Sequence, residues 1–419
     1  MTSVVIVGTG IAGITAAETL RAEGFAGTVT VIGDDPAHPY RRPALSKDLL
    51  LDASAEERSR LRPAGYWAER RIDVRSGVVA VSVDVAGRTV RLDSGENLRY
   101  DALLLATGGR ARTVDHSGGD AVRVLRAMGD VAPLREALGR TNSILVVGAG
   151  LIGSEVAATA RGLGAEVTML EAAPTLLHRV LPPRVSALFE QLHREHGVEL
   201  HTSVRLDELV GDGDGVLARA DDGRTWSAGA ALLAVGMAPN MDLGERAGLE
   251  TADGIVVDES FATSAPGVYA AGDVANRPNP VLGGRHRTEH WNSAQVQGAA
   301  AARAMHAALT GGPAEAVREV PWCWSSQYGL SLQVAGWPQS DDELVVRGSI
   351  AGRDFTVLTR RAGRLVGAVT IGRPKDVRAA RTLIAEHPAV DPALLADESE
   401  DLAALAAAPG SARATAVHV

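Results

Sequence analysis

The same glycine-rich pattern occurs twice in this chain, each time between a β-branched run and an alanine-rich helical pattern. In the order Gly-x-Gly-x-x-Gly, the two sets of glycines are Gly8, Gly10 and Gly13, and Gly148, Gly150 and Gly153. The first glycine of each set permits a tight strand-to-helix turn, the second lets a pyrophosphate approach the backbone, and the third brings helix against strand. The N-terminus of the helix then faces the phosphates with N–H groups and a positive dipole end.

An acidic residue follows each glycine pattern at the end of a second apolar run. The run TVTVIGDD reaches Asp34, 26 residues beyond Gly8, and EVTMLEA reaches Glu171, 23 residues beyond Gly148. Both spacings are near the ~20 residues expected of a carboxylate that binds ribose hydroxyls. The alternative for either acid is a solvated charge at a strand end. Two complete copies nevertheless predict that the chain binds two dinucleotides.

Three further apolar segments break into glycine where each dinucleotide domain would close over its ligand. They are YDALLLATGG (100–109), AGAALLAVGMAPN (228–240) and TSAPGVYAAGDVAN (263–276). The strand predicted within the last segment ends at Gly272-Asp273, where a carboxylate is placed to accept hydrogen bonds from a ribityl chain. An ATG segment and a GD segment that frame two Rossmann units are typical of flavoproteins with two dinucleotides. We therefore expect FAD in the first unit and a nicotinamide nucleotide in the second.

The second nucleotide is expected to be NADH. Glu171 would repel a 2′-phosphate, and the nearest downstream arginine is Arg179, so NADH is favoured over NADPH. Together these patterns predict an α/β fold with two Rossmann-like dinucleotide-binding domains.

Composition excludes several other classes of protein. The net charge of −9 argues against a nucleic-acid-binding protein. The single cysteine, Cys323, excludes a disulfide framework and an all-cysteine zinc site. No stretch approaches the ~20 apolar residues that a membrane span needs, and the N-terminus enters an apolar strand without a basic or cleavable segment. These features predict a cytoplasmic protein with no membrane or nucleic-acid partner and no metal site.

Several motifs carry a specific family resemblance. They are the two glycine patterns, GDDPAHPYRRPALSK (33–47), ATGG, AAGDVA and PWCWSSQY (321–328). From about residue 3 to about residue 404, the sequence resembles the FAD-dependent ferredoxin reductases of Rieske oxygenase and haem-thiolate monooxygenase systems. The resemblance implies a glutathione-reductase-like fold in which an NAD domain is inserted into a discontinuous FAD domain and is followed by a C-terminal α/β interface domain. The implied segments are 1–110 and 237–320 for FAD, 111–236 for NAD, 321–405 for the interface domain and 406–419 for a disordered tail.

The resemblance also implies an activity. Electrons would pass from NADH through FAD to a small iron–sulfur protein, a [2Fe–2S] or similar ferredoxin that feeds a monooxygenase or dioxygenase. Reduction of rubredoxin or of a quinone is an alternative. A non-enzymatic flavoprotein that senses NADH and FAD is another, although the sequence lacks the targeting segment or basic extension that would favour it.

Lys47 is one of only two lysines in a chain with 42 basic Lys and Arg residues. By resemblance it lies beside the flavin ring and pairs with Glu155, and both are predicted to be catalytic. A cation there would stabilise the negative charge that hydride transfer builds on the flavin. A compact ammonium also fits where a planar guanidinium would crowd the nicotinamide. The alternative is an ordinary surface lysine.

The resemblance assigns the remaining cofactor residues by position. For FAD they are Gly8, Gly10, Ala12, Gly13, Asp34, Arg42, Lys47, Ala80, Thr107, Gly108, Arg126, Gly272, Asp273, Trp291 and Trp322. For NAD they are Gly148, Gly150, Ile152, Gly153, Glu155, Glu171 and Gly236. Four positions depart from the usual family residues and put the details of the pockets in doubt: Ala44, Ala80, Ser154 and Trp291.

The route by which electrons leave the flavin is constrained by the cysteine content. No cysteine precedes Cys323, so a thiol relay in the N-terminal segment is impossible. Trp322 and Trp324 are expected to flank a turn at the start of the C-terminal domain, against the flavin and the surface that faces the ferredoxin. The alternative is that both rings are core residues. Cys323 is expected to be a small buried apolar residue.

Docking of an acidic ferredoxin would need a local basic cluster, because the chain itself is acidic. The arginines expected near the flavin edge are Arg285 and Arg287, with Arg41, Arg360 and Arg361 across from them. The alternative is a set of dispersed, solvated charges.

HRTEH (286–290) matches a zinc-peptidase pattern that needs both histidines on one helix. The helical pattern begins only around Asn292, so zinc binding is not expected.

Overall fold

The computed structural model describes residues 2–212, 215–313, 316–386 and 390–407. Within these residues the chain forms 26 strands and 12 helices. The strands are β1 (Ser3–Val7), β2 (Thr28–Gly33), β3 (Ile72–Ser76), β4 (Ala80–Asp84), β5 (Thr89–Leu92), β6 (Asn97–Arg99), β7 (Ala102–Leu105), β8 (Gly109–Ala111), β9 (Val122–Arg123), β10 (Ser143–Val147), β11 (Glu166–Leu170), β12 (Val198–His201), β13 (Leu206–Asp212), β14 (Gly215–Ala220), β15 (Thr225–Ala228), β16 (Ala231–Leu233), β17 (Met237–Pro239), β18 (Ile255–Val256), β19 (Val268–Ala270), β20 (Ala275–Pro278), β21 (Arg285–His286), β22 (Trp322–Gln327), β23 (Leu330–Gly336), β24 (Glu343–Ser349), β25 (Asp354–Arg361) and β26 (Arg364–Ile371). The helices are α1 (Ile11–Ala22), α2 (Asp48–Leu51), α3 (Ala55–Ser59), α4 (Tyr66–Glu69), α5 (Val131–Thr141), α6 (Leu151–Gly162), α7 (Pro183–Glu195), α8 (Asp242–Arg246), α9 (Trp291–Thr310), α10 (Pro374–Glu386), α11 (Pro392–Ala396) and α12 (Leu402–Ala407).

The chain divides into two compact units, each built from three segments. The first unit comprises Met1–Ala111, Arg126–Val131 and Met237–Glu319, and the second comprises Arg112–Leu125, Ala132–Gly236 and Val320–Val419. The predicted division into FAD, NAD and interface domains stays a prediction. The predicted tail, 406–419, lies outside the described residues except for the two alanines that end α12.

The first unit is built on a five-stranded parallel sheet in the order β19-β7-β1-β2-β3. Parallel sheets are covered on both faces, so their strands are apolar throughout rather than alternating. All four residues of β7 are buried, as are the last four of β1. Three smaller sheets complete the unit: β4-β5-β6, β8 with β17, and β18-β20-β21.

Helices α1 and α9 pack closely in this unit because small residues face each other. A Cβ atom at Gly298 of α9 would overlap with the backbone carbonyl oxygen of Ala12 in α1. Both helices are rich in buried alanine, which lets the two backbones approach. The approach holds the start of α1 against the segment that begins α9.

The second unit repeats the first sheet and adds an antiparallel one. Its parallel strands run in the order β12-β11-β10-β16-β9, so β10 takes the place that β1 has in the first unit. A second five-stranded sheet, β22-β23-β26-β25-β24, is antiparallel, and α10 packs on it. A small sheet of β13-β14-β15 completes the unit. The predicted fold class is therefore confirmed.

The HRTEH segment does not form a helix. His286 ends the short strand β21, and His290 immediately precedes α9, which begins at Trp291, one residue from the predicted start. No helix in the described part of the chain is long and apolar enough to span a membrane.

Candidate functional site

The predicted FAD residues of the first unit collect at one edge of its parallel sheet. Gly8 follows β1, Asp34 follows β2, Thr107 follows β7 by two residues, and Gly272-Asp273 follow β19. The strands are parallel and in register, so these segments all leave the sheet at its carboxyl edge. Chain order reverses between β1 and β7, and ligands of open α/β sheets bind at that switch point.

The turn after β1 leaves the space that a pyrophosphate needs. Gly8 has a φ of +127°, and a Cβ atom there would overlap with the carbonyl oxygen of Ala106. Gly10 directly precedes α1, and a Cβ atom there would meet no other atom within 4 Å. The space beside Gly10, at the N-terminus of α1, is therefore open, which fits the phosphates of a dinucleotide.

Hydrogen bonds tie the other predicted FAD residues together at the same edge. Thr107 Oγ1 donates to the carbonyl of Asn240 at 2.8 Å, and Asn240 Nδ2 donates to the carbonyl of Thr107 at 3.0 Å. Arg126 Nε donates to the carbonyl of Gly109 at 2.8 Å, and Arg126 Nη2 donates to Asp273 Oδ2 at 2.8 Å. The structure thus brings Arg126 and Asp273 together as a partly buried ion pair.

Two buried polar side chains support the Gly272 turn and were not predicted from the sequence. Gln297 Oε1 accepts from the Gly272 N–H at 3.0 Å, and Gln297 Nε2 donates to Thr288 Oγ1 at 3.0 Å. Gly272 has a φ of +79°, and a Cβ atom there would lie 2.9 Å from the Cβ of Ala12. A glutamine within the alanine-rich α9 was the available signal.

The remaining predicted FAD residues lie on other elements. Arg42 begins a 3₁₀ turn and is half-buried. Lys47 precedes α2, is half-buried, and has its Nζ 3.5 Å from Ser46 Oγ. Ala80 begins β4, and Trp291 begins α9.

The second unit has a matching turn after β10. Gly148 has a φ of +99°, and a Cβ atom at Gly150, which precedes α6, would again meet nothing within 4 Å. Glu171 directly follows β11, and its two carboxylate oxygens accept from the N–H groups of Ala149 at 2.6 Å and Ala173 at 2.7 Å. The acid is therefore held against the glycine turn. Gly236, which follows β16, has a φ of +100°.

Helix α6 presents two different predicted NAD residues. The side chain of Ile152 is 42% exposed, which is unusual for a large apolar residue. Glu155 is only 4% exposed. Ser154 is fully buried, and its Oγ donates to the carbonyl of Ala149.

A chain of buried side chains leads to Glu155. Ser325 Oγ donates to Glu155 Oε1 at 2.8 Å, and Gln327 Nε2 donates to Ser325 Oγ at 3.1 Å. His193 Nε2 lies 3.0 Å from Gln327 Oε1, and its Nδ1 lies 2.9 Å from the hydroxyl of Tyr328. These residues come from α6, α7, β22 and the turn after β22. The sequence interpretation missed all of them except Glu155, although inward-facing polar residues at alternate positions of β22 were a signal.

The aromatic segment differs from its prediction. Trp322, which the sequence analysis assigned to the FAD site, belongs to the second unit. It is the first residue of β22, and Trp324 lies on the same strand, so the predicted turn between them is wrong. Residues two apart share a face of a strand, and the two rings stack with centroids 5.6 Å apart. Arg381 of α10 lies over the Trp322 ring. The predicted burial of Cys323 is confirmed at 6% exposure.

Arg287, one of the arginines considered for a docking cluster, has a buried and paired side chain. Arg287 is only 8% exposed and pairs with both Asp253 and Glu289, so it offers no free positive charge. Arg360, 12% exposed, pairs with Glu343. The sequence pattern could not show these partners.

The other three arginines also have partners within their units. Arg361 pairs with Asp342. The exposed side chain of Arg285 donates to two backbone carbonyls, and that of Arg41 donates to one. The part of the chain that the structure describes contains no cluster of three His, Cys, Asp or Glu side chains placed to hold a metal ion.

Comparison with protein-family models decides the family. Residues 2–298 match the model described as pyridine nucleotide-disulphide oxidoreductase, and residues 322–406 match the model described as reductase C-terminal. The chain belongs to the pyridine nucleotide-disulphide oxidoreductase family. Unlike the disulfide-using members that the family name implies, this oxidoreductase has a single cysteine and cannot form an internal disulfide.

Relatives within this oxidoreductase family match over nearly the whole chain. Rhodocoxin reductase of Rhodococcus erythropolis is 38% identical over 96% of this chain and 93% of its own. The benzene 1,2-dioxygenase system ferredoxin–NAD(+) reductase subunit of Pseudomonas putida is 37% identical over 95% of this chain and 96% of its own. The crystal structure of the covalent putidaredoxin reductase–putidaredoxin complex matches with a TM-score of 0.89 and 35% identity over 96% of this chain and 97% of the matched chain. The predicted resemblance to ferredoxin reductases is confirmed.

Because His193 is buried, we expect the stability of the folded protein to depend on pH. The side chain is fully buried, and this burial lowers the pKa of His193 to about 4, while the hydrogen bond to Gln327 partly opposes the shift. The unfolded chain gains a proton as the pH falls through about 6.5, whereas the folded protein resists protonation until about pH 4. We therefore expect the free energy of unfolding to fall across that window, by about 3 kcal/mol in all.

Thermal unfolding at a series of pH values between about 7 and 4.5 measures this effect. The melting temperature of His193→Gln should depend less on pH than that of the wild type. His178→Gln, a change at an exposed histidine, serves as the control and should keep the wild-type dependence. Equal pH dependence of His193→Gln and the wild type would contradict the assignment.

Proposed function

We propose that this protein is an NADH-dependent ferredoxin reductase that binds FAD and passes electrons to a small iron–sulfur protein. One observation carries the proposal: the same cradle is built twice, with an open helix N-terminus beside a glycine turn and an acid at the sheet edge. A chain with two such cradles can hold an electron donor and an electron carrier at once. Relatives named as ferredoxin reductases match nearly the whole chain, which supports the proposal.

The first cradle suits FAD. When bound, FAD accepts a hydride from NADH and releases the electrons one at a time. The N–H groups of α1 beyond Gly10 would hold its pyrophosphate, and Asp34 would accept from its ribose hydroxyls. Asp273 would accept from the ribityl chain through the oxygen that Arg126 leaves available, since Arg126 bonds only Oδ2. Arg126 thereby orients the carboxylate.

Other FAD residues are proposed by their position in the family motifs. Gln297 and Thr288 support this set by fixing the Gly272 turn. The proposed residues are Gly8, Ala12, Gly13, Arg42, Lys47, Ala80, Thr107, Gly108, Gly272, Trp291 and Trp322.

The second cradle suits NADH rather than NADPH. Glu171 is anchored by two backbone N–H groups, yet each carboxylate oxygen keeps a lone pair for a ribose hydroxyl. An anchored carboxylate cannot swing away from a 2′-phosphate, so the phosphate would be repelled. The exposed side chain of Ile152 offers an apolar surface for the nucleotide, and Gly148, Gly150, Gly153 and Gly236 line the turns.

Lys47 and Glu155 are proposed as the catalytic cation and its carboxylate partner. The ammonium of Lys47 would stabilise the negative charge that develops during hydride transfer. Glu155, buried and bonded by Ser325, would stay a fixed acceptor. Both roles follow from the family motif.

The proposed partner is a [2Fe–2S] or similar ferredoxin, which would deliver electrons to a monooxygenase or dioxygenase. One similar structure is the covalent complex of putidaredoxin reductase with putidaredoxin. One relative is the reductase subunit of a benzene 1,2-dioxygenase system. We also propose a cytoplasmic location, in which a lone buried Cys323 stays reduced.

Anaerobic stopped-flow spectroscopy tests the function. NADH should bleach the flavin absorbance of the purified protein, and NADPH should do so much more slowly because Glu171 repels its phosphate. The reduced protein should then reduce a [2Fe–2S] ferredoxin from the same genome. Electron transfer to rubredoxin or to quinones, but to none of these ferredoxins, would overturn the proposal.

Lys47→Met should slow flavin reduction by NADH while leaving FAD bound. Removal of a single transition-state charge contact predicts a loss approaching 10²-fold in the limiting rate. Lys375→Met, which changes the only other lysine at an exposed position of α10, is the matched control and should keep the wild-type rate. An unchanged rate in Lys47→Met would reduce Lys47 to a structural residue.

A further inference from the structure

A chain of buried, hydrogen-bonded side chains in the second unit ends at Glu155. Cys323, Ser325 and Gln327 are the inward-facing residues of β22, and two of the three are polar. A buried polar group costs free energy unless it is hydrogen-bonded. An apolar pair at these two positions would pack without that requirement, so the polar pair calls for a role.

The chemistry of each group sets the direction of the bonds. The amide nitrogen of Gln327 can only donate, so the bond it makes to Ser325 Oγ leaves the serine hydrogen free to point elsewhere. That hydrogen is directed at Glu155 Oε1, 2.8 Å away. The amide oxygen of Gln327 can only accept, so His193 Nε2 carries a hydrogen.

The neutral state of His193 completes the chain. Burial lowers the pKa of His193 to about 4, so the ring holds one hydrogen, which the bond to Gln327 places on Nε2. Nδ1 is then an acceptor, and the hydroxyl of Tyr328 donates to it. The Tyr328 ring is itself fixed by stacking on His196, with centroids 3.8 Å apart. Every hydrogen from Tyr328 onward therefore points toward Glu155.

The opposite direction of the bonds would leave two acceptors facing each other at Glu155. If the amide of Gln327 were reversed, its oxygen would take the hydrogen of Ser325. Ser325 Oγ and Glu155 Oε1 would then face each other as two acceptors 2.8 Å apart, unless the carboxyl supplied a hydrogen itself. The amide orientation in the structure therefore presents a donor, and not an acceptor, to Glu155 Oε1. Bonds aligned in this way also polarise one another in a low-dielectric interior.

We propose that Ser325, Gln327 and His193 are positioning residues that hold the Glu155 carboxylate in one orientation for hydride transfer. The proposal rests on the proposed function, in which Glu155 is the partner carboxylate of the catalytic site. Ser325 delivers the contact, Gln327 prevents the serine hydrogen from turning away, and His193 fixes the amide of Gln327. A purely structural chain would stabilise the unit without acting through Glu155.

Ser325→Ala removes the contact at its last step. In the FAD-loaded protein, the limiting rate of flavin reduction by NADH should fall about tenfold, the size expected for loss of one hydrogen bond to a charged group. The dissociation constant of NADH should change less than about twofold, since the chain touches no proposed nucleotide contact except Glu155. Ser326→Ala, at the exposed neighbouring position on the same strand, is the matched control and should behave as the wild type.

A conservative variant and a structural measurement distinguish a positioning role of Ser325 from a role in packing alone. Ser325→Thr keeps the hydroxyl and should recover most of the rate. Crystal structures of the FAD-loaded proteins should show Glu155 in one conformer in the wild type and in Ser326→Ala, but displaced or in two conformers in Ser325→Ala. If Ser325→Ala fails to fold, Gln327→Met, which keeps the side-chain length, removes the donor to Ser325 and should give the same loss of rate and the same disorder.

A double-mutant cycle distinguishes the failure of this inference from the failure of the proposed function. In a Glu155→Gln background, Ser325→Ala should cause no further loss of rate, because the residue acts through the carboxylate. Independent, additive losses would overturn the inference. Slow reduction by Glu155→Gln with a wild-type rate in Ser325→Ala would also overturn the inference and leave the proposed function standing. A wild-type rate in Glu155→Gln would overturn both the positioning role and the catalytic assignment of Glu155.

Discussion

Open space at two helix N-termini is the constraint on which the rest of this structure depends. Gly10 and Gly150 precede α1 and α6, and a Cβ atom at either position would project into space with no other atom within 4 Å. The N-terminus of a helix, with N–H groups that have no partner within the helix and a positive dipole end, favours an anion. The parallel sheets then determine what surrounds that anion, since every strand delivers its next residue to the same edge.

The two units share this arrangement, but different hydrogen bonds hold the polar residues at the carboxyl edge of each parallel sheet. The first uses an ion pair, Arg126 with Asp273, and a glutamine that fixes the Gly272 backbone. The second anchors Glu171 with backbone N–H groups and reaches Glu155 through buried neutral side chains. In the two parallel sheets, Gly8, Asp34 and Glu171 lie where strands end, whereas Glu155 lies on α6 and is reached from Ser325 and Gln327 of β22. The positions of the acids follow from the fold, and their orientations come from separate hydrogen bonds.

Local patterns were sufficient to predict the repeated part of the fold. Gly8, Asp34 and Glu171 could be placed because strand, turn and acid follow within one short segment, and the start of α9 was predicted to within one residue. Contacts between distant segments could not be predicted. Thr107 and Asn240 are 133 residues apart in sequence, and His193 and Gln327 are 134 apart, so no local pattern links them. The burial of Arg287 could not be predicted for the same reason, because a sequence does not show which carboxylates pair with it.

The central claim is that one chain binds two different dinucleotides, one in each unit. The most direct test of this claim is the stoichiometry of bound nucleotides. Acid precipitation of the purified protein should release one FAD per chain, and calorimetric titration of the FAD-loaded protein with NAD⁺ should then reveal one further site. Glu171→Arg should weaken that second site without loss of FAD. Release of FMN instead of FAD, or failure of the FAD-loaded protein to bind a nicotinamide nucleotide, would contradict the account.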